Sequence, residues 1–165
     1  MKNLLIIALP RSGGTTFMSK MGKELKLPVR FEPEFTTWPV EPKNDVTKVI
    51  VDKFQFIDIV ALAENYENVI LHSRHDILAC AESMAAMTWH WKDGVDNSQH
   101  PWKANKLASV PQWYIEQTCH RITHCQLLMH VLSQELDLPI QYYEDMYDLN
   151  SDERFRKETG DDTLI

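Results

Sequence analysis

Cysteine is scarce and odd in number. Three residues, Cys80, Cys119 and Cys125, without a CxxC among them, argue against a disulfide framework and a thiolate zinc site. A reducing, cytoplasmic setting is the expectation. Basic residues are outnumbered as well: 17 Lys+Arg against 24 Asp+Glu leave a formal net charge of −7, which opposes wholesale binding to nucleic acid. Any anionic ligand must therefore be met by a local site. Long apolar runs are missing, since no segment approaches the ~20 residues needed to cross a bilayer. The stretch from Met1 to Leu9 leads into Pro10-Arg11 without a small-residue cleavage site, so it reads as a buried strand and not a signal peptide. With five Gly and eight Pro, no internal repeat and no low-complexity tract, collagen-like and disordered classes are set aside.

What remains is an ordinary globular composition, 44% hydrophobic and 25% charged over 165 residues. A chain of that length removes roughly 70% of its extended surface from water, enough for one core. One domain is expected over residues 1–149, with a loop or flap at 92–111 rich in Gly, Asp, Asn, Ser and Pro, and a charged tail at 150–165. After the first strand, Phe17, Met18, Met21 and Leu25 recur at helix spacing between Thr15 and Leu27, and Pro28 closes the segment. Lys48 to Val51 and Asn68 to Leu71 read as buried strands around a helix from Phe56 to Ala63. Asp76 opens a helix to about Trp91, Gln112 to Leu136 forms another, and Pro139 to Tyr143 resembles a last strand. Apolar strands alternating with helices predict an α/β fold, a three-layer P-loop NTPase-like arrangement with a parallel sheet of about five strands. Ligands of such sheets sit at the carboxyl ends of the strands.

The most informative stretch is Ala8-Leu9-Pro10-Arg11-Ser12-Gly13-Gly14-Thr15-Thr16, between the first strand and the first helix. Loop amides and a helix N-terminus pointing the same way favour an anion, and Gly13-Gly14 let the backbone approach it. Against GxxxxGK[ST], Ala8 replaces the first Gly and Gly14 replaces the Lys. ATP and GTP enzymes use that lysine on the β and γ phosphates beside magnesium; the only cation within this loop is Arg11. A second polar constellation follows the strand ending near Leu71: with a helix starting at Asp76, Asp76, Ala79, Cys80 and Ser83 share a face, and Ser83 is expected to turn back toward Arg74.

Pro10-Arg11-Ser12-Gly13-Gly14-Thr15 resembles the loop of the sulfotransferases that bind 3′-phosphoadenosine 5′-phosphosulfate (PAPS), with Gly14 where that family usually has Thr or Ser. The resemblance extends to Arg74, Asp76, Ala81 and Ser83, which keep the R-R-D-x-x-x-x-A-x-S spacing of the bacterial branch acting on carbohydrates such as trehalose. His75 stands for the second Arg, and Tyr143-Glu144-Asp145-Met146 for Y-E-D-L. The three matches fall in order between residues 4 and 146. They imply that Pro10, Arg11, Ser12, Gly13, Gly14, Thr15 and Thr16 hold the phosphosulfate. Arg74 and Ser83 would hold the 3′-phosphate, Asp76 would cap its helix and Asp145 would brace loops. Magnesium is not expected, and 3′,5′-adenosine bisphosphate would be the nucleotide product.

Sulfuryl transfer to a hydroxyl needs a base. Cytosolic members of the family use the His of a K-T-H strand; the comparable stretch here has Lys53, a candidate contact to the sulfuryl oxygens, and Gln55, which is no base. Glu32-Pro33-Glu34-Phe35 is similar to the E-P-x-E-F of the bacterial branch, although one residue shorter, and implies Glu34 as base with Glu32 second. The expected partner is a small-molecule or carbohydrate acceptor. Many family members also carry a later basic, Gly-containing loop over the nucleotide; after Met146 only Arg154, Arg156 and Lys157 offer a partial substitute.

Two other classes stay open: a P-loop kinase or nucleotide hydrolase, and a non-catalytic nucleotide-binding protein on the same fold. His120 and His124 stand at i and i+4, a zinc-compatible spacing, but no HExxH occurs and Cys119 and Cys125 cannot both share their face. Trp89, Trp91, Trp102, Trp113 and Tyr114 are either an acceptor-binding surface or a satellite core, and His90 and His100 are reserve bases.

Overall fold

The apolar run Leu4–Ala8 (β1) has hydrophobic side chains on both faces, and a strand of that kind needs cover on both sides. In the computed structural model, which describes residues 3–31, 43–53, 55–92 and 109–146, it is the middle strand of a five-stranded, all-parallel sheet. From Leu4 to Leu9 every residue is at most 1% exposed. Burying five Leu and Ile side chains here is worth on the order of 10 kcal/mol, an upper figure because the unfolded chain already hides some of that surface.

The other elements follow as α1 (Gly14–Leu25), β2 (Val29–Phe31), β3 (Val46–Ile50), a 3-10 turn (Val51–Lys53), α2 (Phe56–Ala63), β4 (Val69–Ser73), α3 (Ile77–Lys92), α4 (Gln112–Glu135), β5 (Ile140–Tyr142) and α5 (Tyr143–Met146). The sheet order is β2-β3-β1-β4-β5. Leu4, Ile6 and Ala8 pack with Val46 against Phe17 and Met18 of α1. The alternate set Leu5, Ile7 and Leu9 packs with Val49 and Leu71 against Ile59 and Leu62 of α2, Cys80 and Met84 of α3, and Ile122, Cys125 and Met129 of α4. Three layers result, with α1 on one face and α2, α3 and α4 on the other. This is the α/β arrangement the periodicity called for.

Some boundaries moved. Helix α1 stops at Leu25, short of Leu27, because Lys26 adopts a left-handed conformation (φ 56°) and Leu27 N–H turns back to the Gly22 carbonyl at 3.0 Å. Strand β3 begins two residues before Lys48, which places that lysine opposite Ile6 in the middle of the sheet. Tyr143 to Met146 is a helical turn and not the end of a strand. Strand β2, only three residues long, adds an element that the periodicity does not predict.

Strand order fixes where a ligand belongs. From β1 the chain leaves through α1 toward β2, while from β4 it leaves through α3 and α4 toward β5 at the opposite edge. Since β1 and β4 are neighbours, their carboxyl ends flank the crevice where the two directions diverge. The glycine loop and Arg74 are the segments that follow those two ends.

Candidate anion site at the ends of β1 and β4

The loop after β1 turns sharply through two left-handed residues, Arg11 (φ 62°) and Gly13 (φ 78°). Glycine accepts that conformation freely, whereas for Arg11 it costs about 1 kcal/mol. A Cβ at Gly13 would stand 2.7 Å from the Tyr143 ring, and one at Gly14 2.9 Å from the Ala8 methyl. Both glycines are thus required by close approach. The first amides of an α-helix lack partners within it, and at α1 Gly13 offers no side chain to cap them. Ser12 is 1% exposed, and its hydroxyl is an orphan among the described residues.

One face of α3 grips Arg11. Its Nε donates to Ser83 Oγ at 3.0 Å, one terminal nitrogen rests 3.9 Å from Met87 Sδ, and Cys80 Sγ donates to the Arg11 carbonyl at 3.5 Å. Residues 80, 83 and 87 recur at helix spacing on that face. Burial pushes the Cys80 thiol up to about 12, with Glu144 and Asp76 adding to it and Arg74 and Arg11 opposing. It stays protonated, a donor and no nucleophile. Ser83 therefore joins Arg11, where the helix-face reasoning had turned it toward Arg74.

Arg74 is held from α5. Its Nε lies 3.3 Å from Glu144 Oε1, within ion-pair reach but off the angle for a hydrogen bond, so among the described residues that buried nitrogen has no hydrogen-bond partner. Its guanidinium sits 5.6 Å from the centre of the Tyr143 ring. Glu144 accepts the backbone N–H groups of His75 (2.9 Å) and Asp76 (3.3 Å), and Asp76 Oδ1 caps α3 by accepting Ala79 N–H at 2.9 Å. The cap is the one expected; the bracing carboxylate is chiefly Glu144, while Asp145 makes, among the described residues, an exposed contact with His75 at 3.6 Å. Nothing in the sequence separates these adjacent acids; only the twist of α5 does.

Burial alone would raise the Glu144 carboxyl, but the amides of His75, Glu144 itself and Asp76, together with Arg74, hold it below its usual value. A depressed carboxyl stabilises the fold above its unfolded pKa and loses that contribution as pH falls through the folded one. Glu144→Gln should therefore cost about 2 kcal/mol near pH 7 and flatten the acid limb of a stability–pH curve below 4.5. Urea unfolding of the two proteins across that range is the check; parallel limbs would show that Glu144 does not clamp the turn.

Beneath the loop lies His72, fully buried on β4 and not assigned a role from the sequence. Burial lowers its pKa to about 4, so the ring is neutral. It lies 2.9 Å from the Ser12 carbonyl, which only accepts, so Nε2 carries the proton and Nδ1 is left as an orphaned acceptor. The ring stacks on Phe17 at 4.8 Å. A histidine directly after the apolar run Val69 to Leu71 is the signal that the sequence offers.

Lys48, from the middle of β3, is 5% exposed and donates from Nζ to Thr15 Oγ1 at 3.0 Å. Lys53, the lysine singled out earlier, is exposed in the turn after β3. Asp52 beside it is engaged by Arg121 of α4. Glu32 and Glu34 lie outside the described residues, as do Trp102, His100 and the tail. Trp89 and Tyr114 pack against Ala85, Ala86 and Val110 as a satellite core, and Trp113 meets both rings edge to face at 5.5–5.9 Å while remaining 59% exposed. His120 and His124 are exposed, and no metal-ligating cluster occurs among the described residues. Among those residues no helix is long and apolar enough to cross a membrane.

The arrangement can hold oxyanions from two sides, with Arg11 and the start of α1 on one and Arg74 on the other. Arg11 follows β1 and Arg74 follows β4, and these two strands are neighbours in the sheet. Compared with known proteins, the chain matches no family model, no curated protein and no solved structure.

Proposed function

We propose that the chain is a sulfotransferase that moves the sulfuryl group of PAPS onto a hydroxyl of a carbohydrate or small metabolite and releases 3′,5′-adenosine bisphosphate. The observation that carries this reading is the meeting of Arg11 with Ser83 at 3.0 Å at the switch point, where Arg74 follows the neighbouring strand β4. The orphaned Ser12 hydroxyl and the uncapped start of α1 fit an oxyanion in the loop.

PAPS supplies a sulfuryl group activated by its bond to phosphate. Residues 10–16 bind the phosphosulfate, Arg11 offsetting its charge, while Arg74 takes the 3′-phosphate and Ser83, accepting from Arg11, offers its own proton to an anion. Lys53 is assigned to the sulfuryl oxygens. Glu34, with Glu32 in reserve, takes the acceptor's proton as the acceptor oxygen bonds to sulfur and the sulfur–oxygen bond to the leaving phosphate breaks. Positioning and charge stabilisation account for the rate.

Calorimetric titration tests the reading. Micromolar binding of 3′,5′-adenosine bisphosphate with little binding of ATP and magnesium is the expected result. Arg74→Ala should weaken the bisphosphate about tenfold or more and adenosine monophosphate, which has no 3′-phosphate, hardly at all. Binding of ATP with magnesium alone would replace this reading by a kinase or hydrolase, and equal losses for both nucleotides would remove Arg74 from the 3′-phosphate.

A further inference from the structure

A lysine in the middle of a parallel strand, on the face covered by α1, is costly to bury. Lys48 stands there, opposite Ile6, with Val46 two residues before it in the apolar core of that face. Its stem runs under the first turn of α1. Lys48 Cδ lies 3.4 Å from where a Cβ of Gly14 would be, the Ala8 methyl 2.9 Å from the same point, and His72 Cδ2 3.6 Å on the β4 side. Gly14 and Ala8 are the two positions at which the loop departs from GxxxxGK[ST]. The departures are complementary in space: the methyl absent from position 14 is present at position 8, and the ammonium absent from position 14 arrives from position 48. It ends on Thr15 Oγ1, the hydroxyl that follows the missing lysine.

We propose that Lys48 supplies from β3 the cation that the loop lacks at Gly14, and that an oxyanion of phosphate or sulfate seated on residues 12–16 is held by the Lys48 ammonium together with Arg11. This rests on the reading of the loop as an anion site. It adds a binding residue to that site, beside the Lys53 that the family resemblance implies for the sulfuryl oxygens. Thr15 positions the ammonium by accepting its hydrogen bond. The Ser12 hydroxyl, buried and without a hydrogen-bond partner among the described residues, is a group at the loop that the anion would engage.

The probe is inorganic sulfate, titrated into protein carrying isotope-labelled lysine and observed at the Lys48 Cε resonance and at the Gly13 and Gly14 amides; Lys48→Met assigns the lysine signal by deleting it. Saturable shifts of all three at millimolar sulfate are expected. Shifts of the glycine amides with Lys48 silent, or no shift in any of them up to about 50 mM, would overturn the proposal. A second arm uses affinity. Where the wild type binds the bisphosphate, Lys48→Met should weaken it and adenosine monophosphate by the same factor, about tenfold. The triple variant Ala8→Gly/Gly14→Lys/Lys48→Met, which returns the ammonium to position 14 and makes room for it, should regain most of that loss. A Lys48→Met protein that is destabilised in urea yet binds both nucleotides as before would assign Lys48 to structure alone. Sulfate binding without bisphosphate binding would sink the sulfotransferase reading and leave Lys48 in place.

Discussion

Gly13→Ala is expected to destabilise the folded protein by about 3 kcal/mol, from two separable sources. The φ of 78° is one: an L-residue there pays about 1 kcal/mol or more for the left-handed conformation. The other is the Tyr143 ring, two of whose carbons would lie 2.7 Å from the new methyl. Tyr143 is 5% exposed and cannot swing into solvent, so relief must come from α5 shifting. Because Glu144 is the next residue, such a shift also loosens the clamp on Arg74 and on the start of α3. Urea denaturation of Gly13→Ala, Tyr143→Leu and the double variant separates the sources. The methyl should cost only its φ contribution once the ring is gone; an unchanged cost in the Tyr143→Leu background would mean that the ring contact contributes nothing.

Acidification provides the second large effect. Above pH 6.5 His72 is neutral in both folded and unfolded chains. Between 6.5 and about 4 the unfolded chain takes up a proton that the buried ring refuses, so stability declines as pH falls; below about 4 both forms are protonated and the loss is complete. At 1.36 kcal/mol per pH unit the decline amounts to on the order of 3 kcal/mol. It precedes the Glu144 contribution, which disappears only below 4.5. His72→Gln keeps an N–H for the Ser12 carbonyl and removes the titration. Its unfolding free energy should therefore be nearly level between pH 6.5 and 5, and a slope as steep as the wild type's would take His72 out of the account.

What could be read along the chain was whatever local periodicity encodes. Helix α2 falls on the expected residues, Phe56 to Ala63, and α4 differs by one residue, because apolar spacing within a helix needs no knowledge of its partners. Strand β2 is three residues long with Arg30 at its centre, too short for a period. That arginine belongs to a polar knot with Asp45, Thr47 and Tyr66 which only tertiary structure assembles. The candidate site was legible in its residue types and less so in its pairings. Arg11, Arg74 and Ser83 were recognised, but Arg11 meets Ser83 across 72 positions, and a helix wheel drawn for α3 alone has no Arg11 on it. Lys48 was passed over because it stood at the edge of an apolar run and counted as a boundary; once β3 is extended back to Val46 the same lysine is central.

The central place of β1 also governs how the chain comes off the ribosome. Leu4 to Ala8 is synthesised before either neighbour, and its two partners, Val46–Ile50 and Val69–Ser73, follow only after about 40 and 65 further residues. At 5–20 residues per second that leaves a strand-forming apolar segment with both edges bare for seconds. During that interval pairing between nascent chains competes with folding. Newly made protein should thus depend on a holding chaperone until β4 has emerged, a demand that the finished sheet, with β1 paired along both edges, does not reveal.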